Sequence, residues 1–440
     1  MKIVQAVGWY HPDSVGGTEV YVAALSRALR AAGHDVRVAA PEPGSTAPRT
    51  YSYDGCEVFR YPIPSAPTRD EAQGDAVVRG ADHFHRWLSS ARADVVHMHT
   101  FVTGLGLNEV FAAREAGSRV VVTTHASSLG YICQRGTLML RGETLCDGVV
   151  DASRCAACVL EERGAPASVQ SVLASLPASV SRLTGVMPGA VGTALGMTGL
   201  ITRNLARQRT MLDSVEAFVV LTERAAQIVR ANGAPDGKVV VNRLGVRDDL
   251  DHRSVSVHRA DDAIRIGYVG RFEHVKGVLD LAEAVKRVPA NARLRVEFRG
   301  PAQSTADLET KSQIAQMSAG DPRVVIEDGV APAAIADVLN SYDVICCPSR
   351  CLEGGPTVAL EAMALGIPVI AASVGGVAEV VEDGVNARLV PPGDVNRLAA
   401  ALTEVARNPA ATICQWKKRL PAARRMRDVA REYLELYSRN

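Results

Sequence analysis

Glu353-Gly354-Gly355-Pro356-Thr357, with Glu361 eight positions beyond Glu353, is the stretch from which the fold reads outward. Val344-Ile345-Cys346-Cys347 before it reads as a buried strand. Val358, Leu360, Met363 and Leu365 supply the apolar positions of a helix, and 367–372 reads as the next strand. Pro356 and Thr357 suit a helix start, where a missing N–H costs little and a hydroxyl can cap. Glu361 then falls about one turn inside. Gly354 and Gly355 leave backbone N–H groups open at the positive end of that helix, a natural anion site. The element therefore offers a phosphate cradle beside two carboxylates that can accept from sugar hydroxyls. That chemistry suits a sugar nucleotide.

Strands and helices alternate on both sides of this element. Segments 2–7, 35–39, 95–97 and 119–123 read as strands, and 19–32 as a helix with one apolar face. Such alternation predicts parallel sheets wrapped by helices. A charged, aperiodic run at 247–260 breaks the pattern, and 264–269 opens a second series of βα repeats. The expected architecture is α/β, with two doubly wound domains facing across a cleft. Ligands in such sheets sit beyond the carboxyl ends of the strands. The expected division is 1–250, 260–415 and a closing helix within 416–440.

Bulk properties narrow the class. A chain of 440 residues suffices for two or three full cores. A net charge of +1 gives no general attraction to nucleic acid. The first residues lack the long apolar run of a secretory leader. Nine cysteines without an export signal favour a reducing, cytoplasmic setting.

Cations and glycines elsewhere complete a candidate site. Gly270-Arg271 and Lys276-Gly277 end the first strand of the second domain. Arg271 would grip a diphosphate with a forked set of donors, and Lys276 with a point charge. Gly16-Gly17 opens the first helix of the first domain and permits close approach of a ligand. His125 follows a strand at its carboxyl end.

The stretch 353–369 resembles the signature of retaining, GT-B-fold glycosyltransferases of family four, which move a sugar from a nucleotide donor. The resemblance covers most of the chain except roughly 138–212. It implies that Arg271 and Lys276 hold the donor phosphates in place of a metal, so that catalysis needs no cofactor. It implies that Glu353 meets the C3 and C4 hydroxyls of the sugar, Glu361 the ribose, and His125 the C6 hydroxyl. Gly16, Gly17, Gly354, Gly355, Pro356 and Thr357 would complete the donor site. The acceptor would attack the front face of the donor, and the leaving phosphate would take its proton. A GT-B sugar-nucleotide epimerase and a noncatalytic nucleotide-sugar-binding protein are the alternatives. The acceptor class is a glycan, a lipid-linked molecule or a small molecule, consistent with bacterial cell-envelope or polysaccharide biosynthesis. Asp249-x-Asp251 matches a metal-binding D-x-D formally, but it lies in the expected linker and reads as solvated charge.

Two features lie outside that frame. Cys133, Cys146, Cys155 and Cys158 cluster within 26 residues and end in C-x2-C, a spacing that suits structural zinc. Free thiols, a redox pair and an iron–sulfur cluster are the other readings. A subset of the family resembles this arrangement, with Cys133-Gln134-Arg135-Gly136 as its opening turn; it places the excursion, about 130–212, in the first domain. After it, 165–212 holds four arginines and no acidic residue, with apolar positions at helical spacing. Helices packed on the first domain and a peripheral surface on the inner face of the plasma membrane both account for that composition.

Overall fold

The computed structural model describes residues 1–439 apart from 15, 186, 188 and 251–262. The chain divides into two compact units. The first comprises Met1–Arg141, Asp147–Arg243 and Met426–Asn440; the second comprises Gly142–Cys146 and Leu244–Arg425.

The first unit is built on an eight-stranded sheet. Its spatial order is Val239–Val241, Ala217–Val220, Arg119–Thr123, Val95–Met98, Lys2–Ala6, Asp35–Pro43, Cys56–Ile63 and Arg49–Tyr53. All neighbours run parallel except the last pair. The central strands are nearly continuous in Val, Ile and Ala because helices cover both faces. Three polar side chains nevertheless lie fully buried in those strands: Gln5, His97 and Thr123. The helix Gly17–Ala31 buries Tyr21, Val22, Leu25 and Leu29, and the closing helix Met426–Tyr437 packs against it. A helical excursion, Ala152–Glu162 through Met197–Ser214, has its own small core of Ala156, Val159, Ala174, Met197 and Ile201.

The second unit holds a six-stranded, wholly parallel sheet in the order Val324–Asp328, Leu294–Gly300, Ile264–Val269, Val344–Cys347, Val369–Ala372, Arg388–Val390. The chain winds outward from Ile264–Val269 on one side, then returns to lay Val344–Cys347 on the other. The loops leaving those two strands diverge at a topological switch point, where a doubly wound sheet opens a crevice at its carboxyl edge. The sheet core on one face includes Ile266, Phe272, Leu281 and Phe298; that on the other includes Tyr342, Ile345, Ala362 and Val369.

Candidate active site

The switch point of the second unit brings together the loops that follow Val269 and Cys347. Three contacts hold them. The Arg350 N–H donates to the Val275 carbonyl at 2.8 Å. Its guanidinium makes a forked pair with Asp280 at 2.6 and 2.5 Å. Gly277, at φ 69°, sits so close to Pro348 that a Cβ would lie 2.0 Å from the Pro348 carbonyl oxygen. Only glycine allows that approach without displacing backbone.

Lys276 and Glu353 meet across this junction, the ammonium donating to Glu353 Oε1. Burial works against the charge on Lys276, but the Glu353 carboxylate and its hydrogen bond outweigh it and raise the lysine pKa. The other carboxylate oxygen, Glu353 Oε2, is buried with no hydrogen-bond partner among the described residues. An acceptor in that state favours a donor hydroxyl, because an unmet buried carboxylate oxygen costs more than a met one gains. Arg271 is half exposed and pairs with Glu273 at 2.7 Å, while the Tyr268 hydroxyl fixes the Arg271 carbonyl at 2.5 Å.

Behind Glu353 the glycine loop is stacked on a second one. Gly376 N–H donates to the Glu353 carbonyl at 3.0 Å. A Cβ on Gly375 would lie 2.5 Å from the Glu353 carbonyl oxygen, and one on Gly376 2.1 Å from that of Gly354. Gly375 and Gly376 were not foreseen; the signal was a Gly-Gly pair three residues after a strand end. The helix Thr357–Ala364 begins after Pro356, which occupies the N-cap, and no side chain caps it. The expected capping by the Thr357 hydroxyl is therefore corrected. Thr357 lies one position too far along, and the open N–H groups stay available.

Glu361 is raised to about 7, first by burial, with Arg247 pulling it down and Asp249 pushing it up. Arg247 is a neighbour that spacing could not place, since 114 positions separate it from Glu361. Asp249 lies 3.6 Å from Arg247. Asp251 lies outside the described residues.

In the first unit, His125 belongs to a buried relay. His99 Nε2 meets Gln5 Oε1 at 2.5 Å, and His99 Nδ1 meets His125 Nε2 at 3.1 Å. An amide oxygen only accepts, so the His99 proton sits on Nε2 and His99 Nδ1 accepts from His125 Nε2–H. The Nδ1 of His125 is thereby left as an acceptor. His97 bridges the Tyr437 hydroxyl at 2.6 Å and Thr123 Oγ1 at 2.7 Å. Burial pushes His125 down to about 3 and holds His97 and His99 well below their ordinary value, so all three rings are neutral. Gly16 is the N-cap of its helix, with Gly17 the first helical residue. The buried Glu19 carboxylate folds back on this turn; a Cβ on Gly16 would lie 2.7 Å from Glu19 Oε2. An acid there already answers part of the positive end of the helix. A cavity of about 530 Å³ in the first unit is walled by Trp9, Phe101 and Tyr131, among others.

The four cysteines Cys133, Cys146, Cys155 and Cys158 are half-buried. Cys133 Sγ accepts the Leu138 N–H at 3.4 Å, and Cys158 Sγ the Arg141 N–H at 3.3 Å. Among the described residues no three His, Cys, Asp or Glu side chains stand at metal-binding geometry. The sulfurs of Cys133 and Cys158, two of the four expected ligands, both accept from the one segment 138–141.

Comparison with known proteins places the chain. Residues 16–245, more than half of it, match the family described as glycosyl transferase 4-like domain. The chain belongs to that glycosyltransferase family. Residues 263–408 of this glycosyltransferase match the family described as glycosyl transferases group 1. It is 28% identical over 249 residues to a putative colanic acid biosynthesis glycosyltransferase, WcaL, of Salmonella typhimurium, covering 53% of this chain and 59% of that one. It is 33% identical over 204 residues to the D-inositol 3-phosphate glycosyltransferase of Kribbella flavida, covering 42% and 47%. The matches span about half the length of these curated relatives. Among solved structures it is similar to the sucrose-phosphate synthase of Thermosynechococcus elongatus, at a TM-score of 0.69 and 19% identity, over 99% of this chain and 98% of that one. Anabaena HepE in complex with UDP gives 0.67 and 15%, with both chains fully covered. These likenesses establish the fold as GT-B, with two Rossmann-like α/β domains. Among the described residues no helix is long and apolar enough to cross a membrane.

Proposed function

We propose that this chain is a retaining, metal-independent glycosyltransferase. It moves a sugar from a nucleoside-diphosphate sugar to a glycan, lipid-linked or small-molecule acceptor in the bacterial cytoplasm. The observation that carries the reading is Glu353. Its Oε1 accepts from Lys276, and its Oε2 is buried without a partner at the switch-point loops. A donor sugar would give Oε2 its hydroxyl, and its diphosphate would draw Lys276 and the half-exposed Arg271 away from their present carboxylates. Those two cations would carry the charge that builds on the departing nucleotide. Glu361 would accept from the ribose, and His125 from the transferred sugar through Nδ1. Gly354, Gly355 and Thr357 would present backbone N–H groups to phosphate, with Pro356, which has none, setting the turn at the helix start; Gly16 and Gly17 would let the ligand approach the first unit closely. Solved structures of HepE hold UDP and UDP-glucose, which supports a uridine donor as the first to try.

A thermal-shift screen over UDP-, GDP- and ADP-sugars tests donor binding, since a ligand raises stability by mass action. The expected outcome is a shift with one nucleotide series that Arg271→Ala and Lys276→Ala each abolish. Transfer or slow donor hydrolysis should follow with retention of anomeric configuration and survive EDTA. Inversion, prompt loss in EDTA restored by Mg²⁺, or epimerised free donor would each overturn the reading. As a separate part of the proposal, Cys133, Cys146, Cys155 and Cys158 bind a structural zinc ion. Backbone N–H donors on two of the sulfurs suit thiolates, and metal binding itself supplies the free energy that gathers such a set.

A further inference from the structure

The helical excursion of the first unit carries a second feature that donor chemistry does not use. Thirteen large apolar side chains are exposed among the described residues, and six of them fall between 169 and 191. They recur in pairs: Val169 and Val172, Val180 and Leu183, Met187 and Val191. Spacings of three put Val169 with Val172, and Val180 with Leu183, on one side of their helices. Leu183 is 76% exposed and Val191 62%. Exposed apolar side chains this concentrated mark an interaction surface.

The same region holds a cavity of about 540 Å³ between the short helix Arg69–Gln73 and the helices of 178–203. Arg69, Arg182 and Arg203 line it, with Asp70 and Asp75. Asp75 is engaged by Arg207 and, at 3.7 Å, by Arg203. Arg69 gives one nitrogen, Nη1, to the carbonyl of Met187, one of the exposed apolar residues, at 2.9 Å, which ties the cavity to the apolar segment. Arg203 gives one nitrogen to Gln73 at 3.1 Å and keeps a buried Nε without a partner. Arg182 makes no side-chain hydrogen bond or ion pair among the described residues. Gly185 and Gly196, which also line the cavity, touch backbone to backbone: a Cβ on Gly196 would lie 2.9 Å from Gly185 Cα. From 163 to 212 the chain has five arginines and no Asp or Glu.

We propose that this arginine cavity and its apolar rim form a docking site for an anionic phospholipid bilayer. The phosphate of a headgroup enters between Arg69, Arg182 and Arg203, and Leu183, Met187 and Val191 enter the interfacial layer. Guanidinium groups pair well with phosphate and are weakly hydrated. Apolar burial and attraction to anionic lipid then add, as in other interfacial helices. A zwitterionic bilayer offers the apolar half alone, and a soluble phosphate the ionic half alone.

The test uses the full chain without any nucleotide sugar, so that its outcome is separate from the transfer reading. Sedimentation with phosphatidylcholine vesicles is compared with the same vesicles containing one-third phosphatidylglycerol. Binding is expected only to the anionic vesicles. Arg69→Gln with Arg182→Gln should weaken it roughly 25-fold, from about a fivefold loss for each arginine. Leu183→Ser with Val191→Ser should weaken it severalfold, and glycerol phosphate should not compete at equal phosphate concentration. Equal binding to both vesicles, indifference to either double variant, full competition by glycerol phosphate, or concentration-dependent self-association through this face instead of binding would overturn the proposal. Should the double arginine variant fail to fold, Arg182→Gln alone serves, because no other side chain relies on it; a loss below twofold then counts against the site.

Discussion

Glu361 in the second unit and the His97–His99–His125 cluster in the first are shaped by the same force and answer it in opposite directions. Burial disfavours charge, so it raises an acid and lowers a base. Glu361 is pushed up to about 7 and keeps its proton at mildly acidic pH. His125 is pushed down to about 3 and refuses one, as do His97 and His99. One region gathers groups that can carry charge: Lys276, Glu353, Arg271 and Glu361. The other presents a neutral, hydrogen-bonded surface whose proton positions are set by Gln5, Thr123 and Tyr437.

The comparison breaks most easily on pH. Between about 3 and 6.5 the unfolded chain holds a proton on His125 and the folded chain does not, so its contribution to stability is lost as pH falls below 6.5. Three such rings give a slope of up to about 4 kcal/mol per pH unit. His97→Gln should lower the slope by about one proton, read from urea unfolding at successive pH values. An unchanged slope would mean that His97 is not buried neutral. The next largest effect concerns the ion pair. Lys276→Ala should cost about 2–3 kcal/mol, because it strands a buried carboxylate. Adding Glu353→Gln should return part of that, and a double-mutant cycle measures the coupling. Additive losses would show that the two side chains do not meet in solution.

Glu361→Gln sharpens the contrast by having the opposite sign. Between 4.5 and about 7 only the folded chain holds the Glu361 proton, so the wild-type contribution falls across that window as pH rises. The variant should match wild type below pH 4.5 and exceed it above pH 7, by on the order of 3 kcal/mol. Nucleotide affinity of the wild type should rise with pH through about 7, as the carboxylate becomes a pure acceptor, and the variant should lose that dependence. Equal pH profiles for the two would remove Glu361 from the ribose. The smallest effect on either region is expected from Cys158→Ser. Zinc measured by elemental analysis should fall from about one per chain, while the donor-induced thermal shift stays as in wild type. Metal-free wild-type protein with four titratable thiols would end the zinc proposal.

Much of this could be read without coordinates. The strands Arg119–Thr123, Ile264–Val269 and Val344–Cys347 have in the structure the bounds their apolar runs predicted. Fully buried parallel strands leave continuous apolar stretches that local pattern detects. The glycine-rich loop and the place of Glu361 within its helix were equally local. Thr357 was misjudged as a cap because the outcome turns on a single residue of helix phase, the least determined feature of a helix boundary.

The sequence by itself determined the doubly wound class, the switch-point loop and the residue types able to hold a nucleotide sugar, because periodicity, glycine placement and helix polarity are properties of neighbouring residues. Only the tertiary structure decided that Arg247 lies beside Glu361, that Gly375 and Gly376 support Glu353, and that Gln5 and Tyr437 reach the histidines. It also decided that Arg69, Arg182 and Arg203 line one cavity. Each of those joins distant parts of the chain through sheet order and helix packing, and the pKa of a buried group depends on those neighbours rather than on its own sequence context.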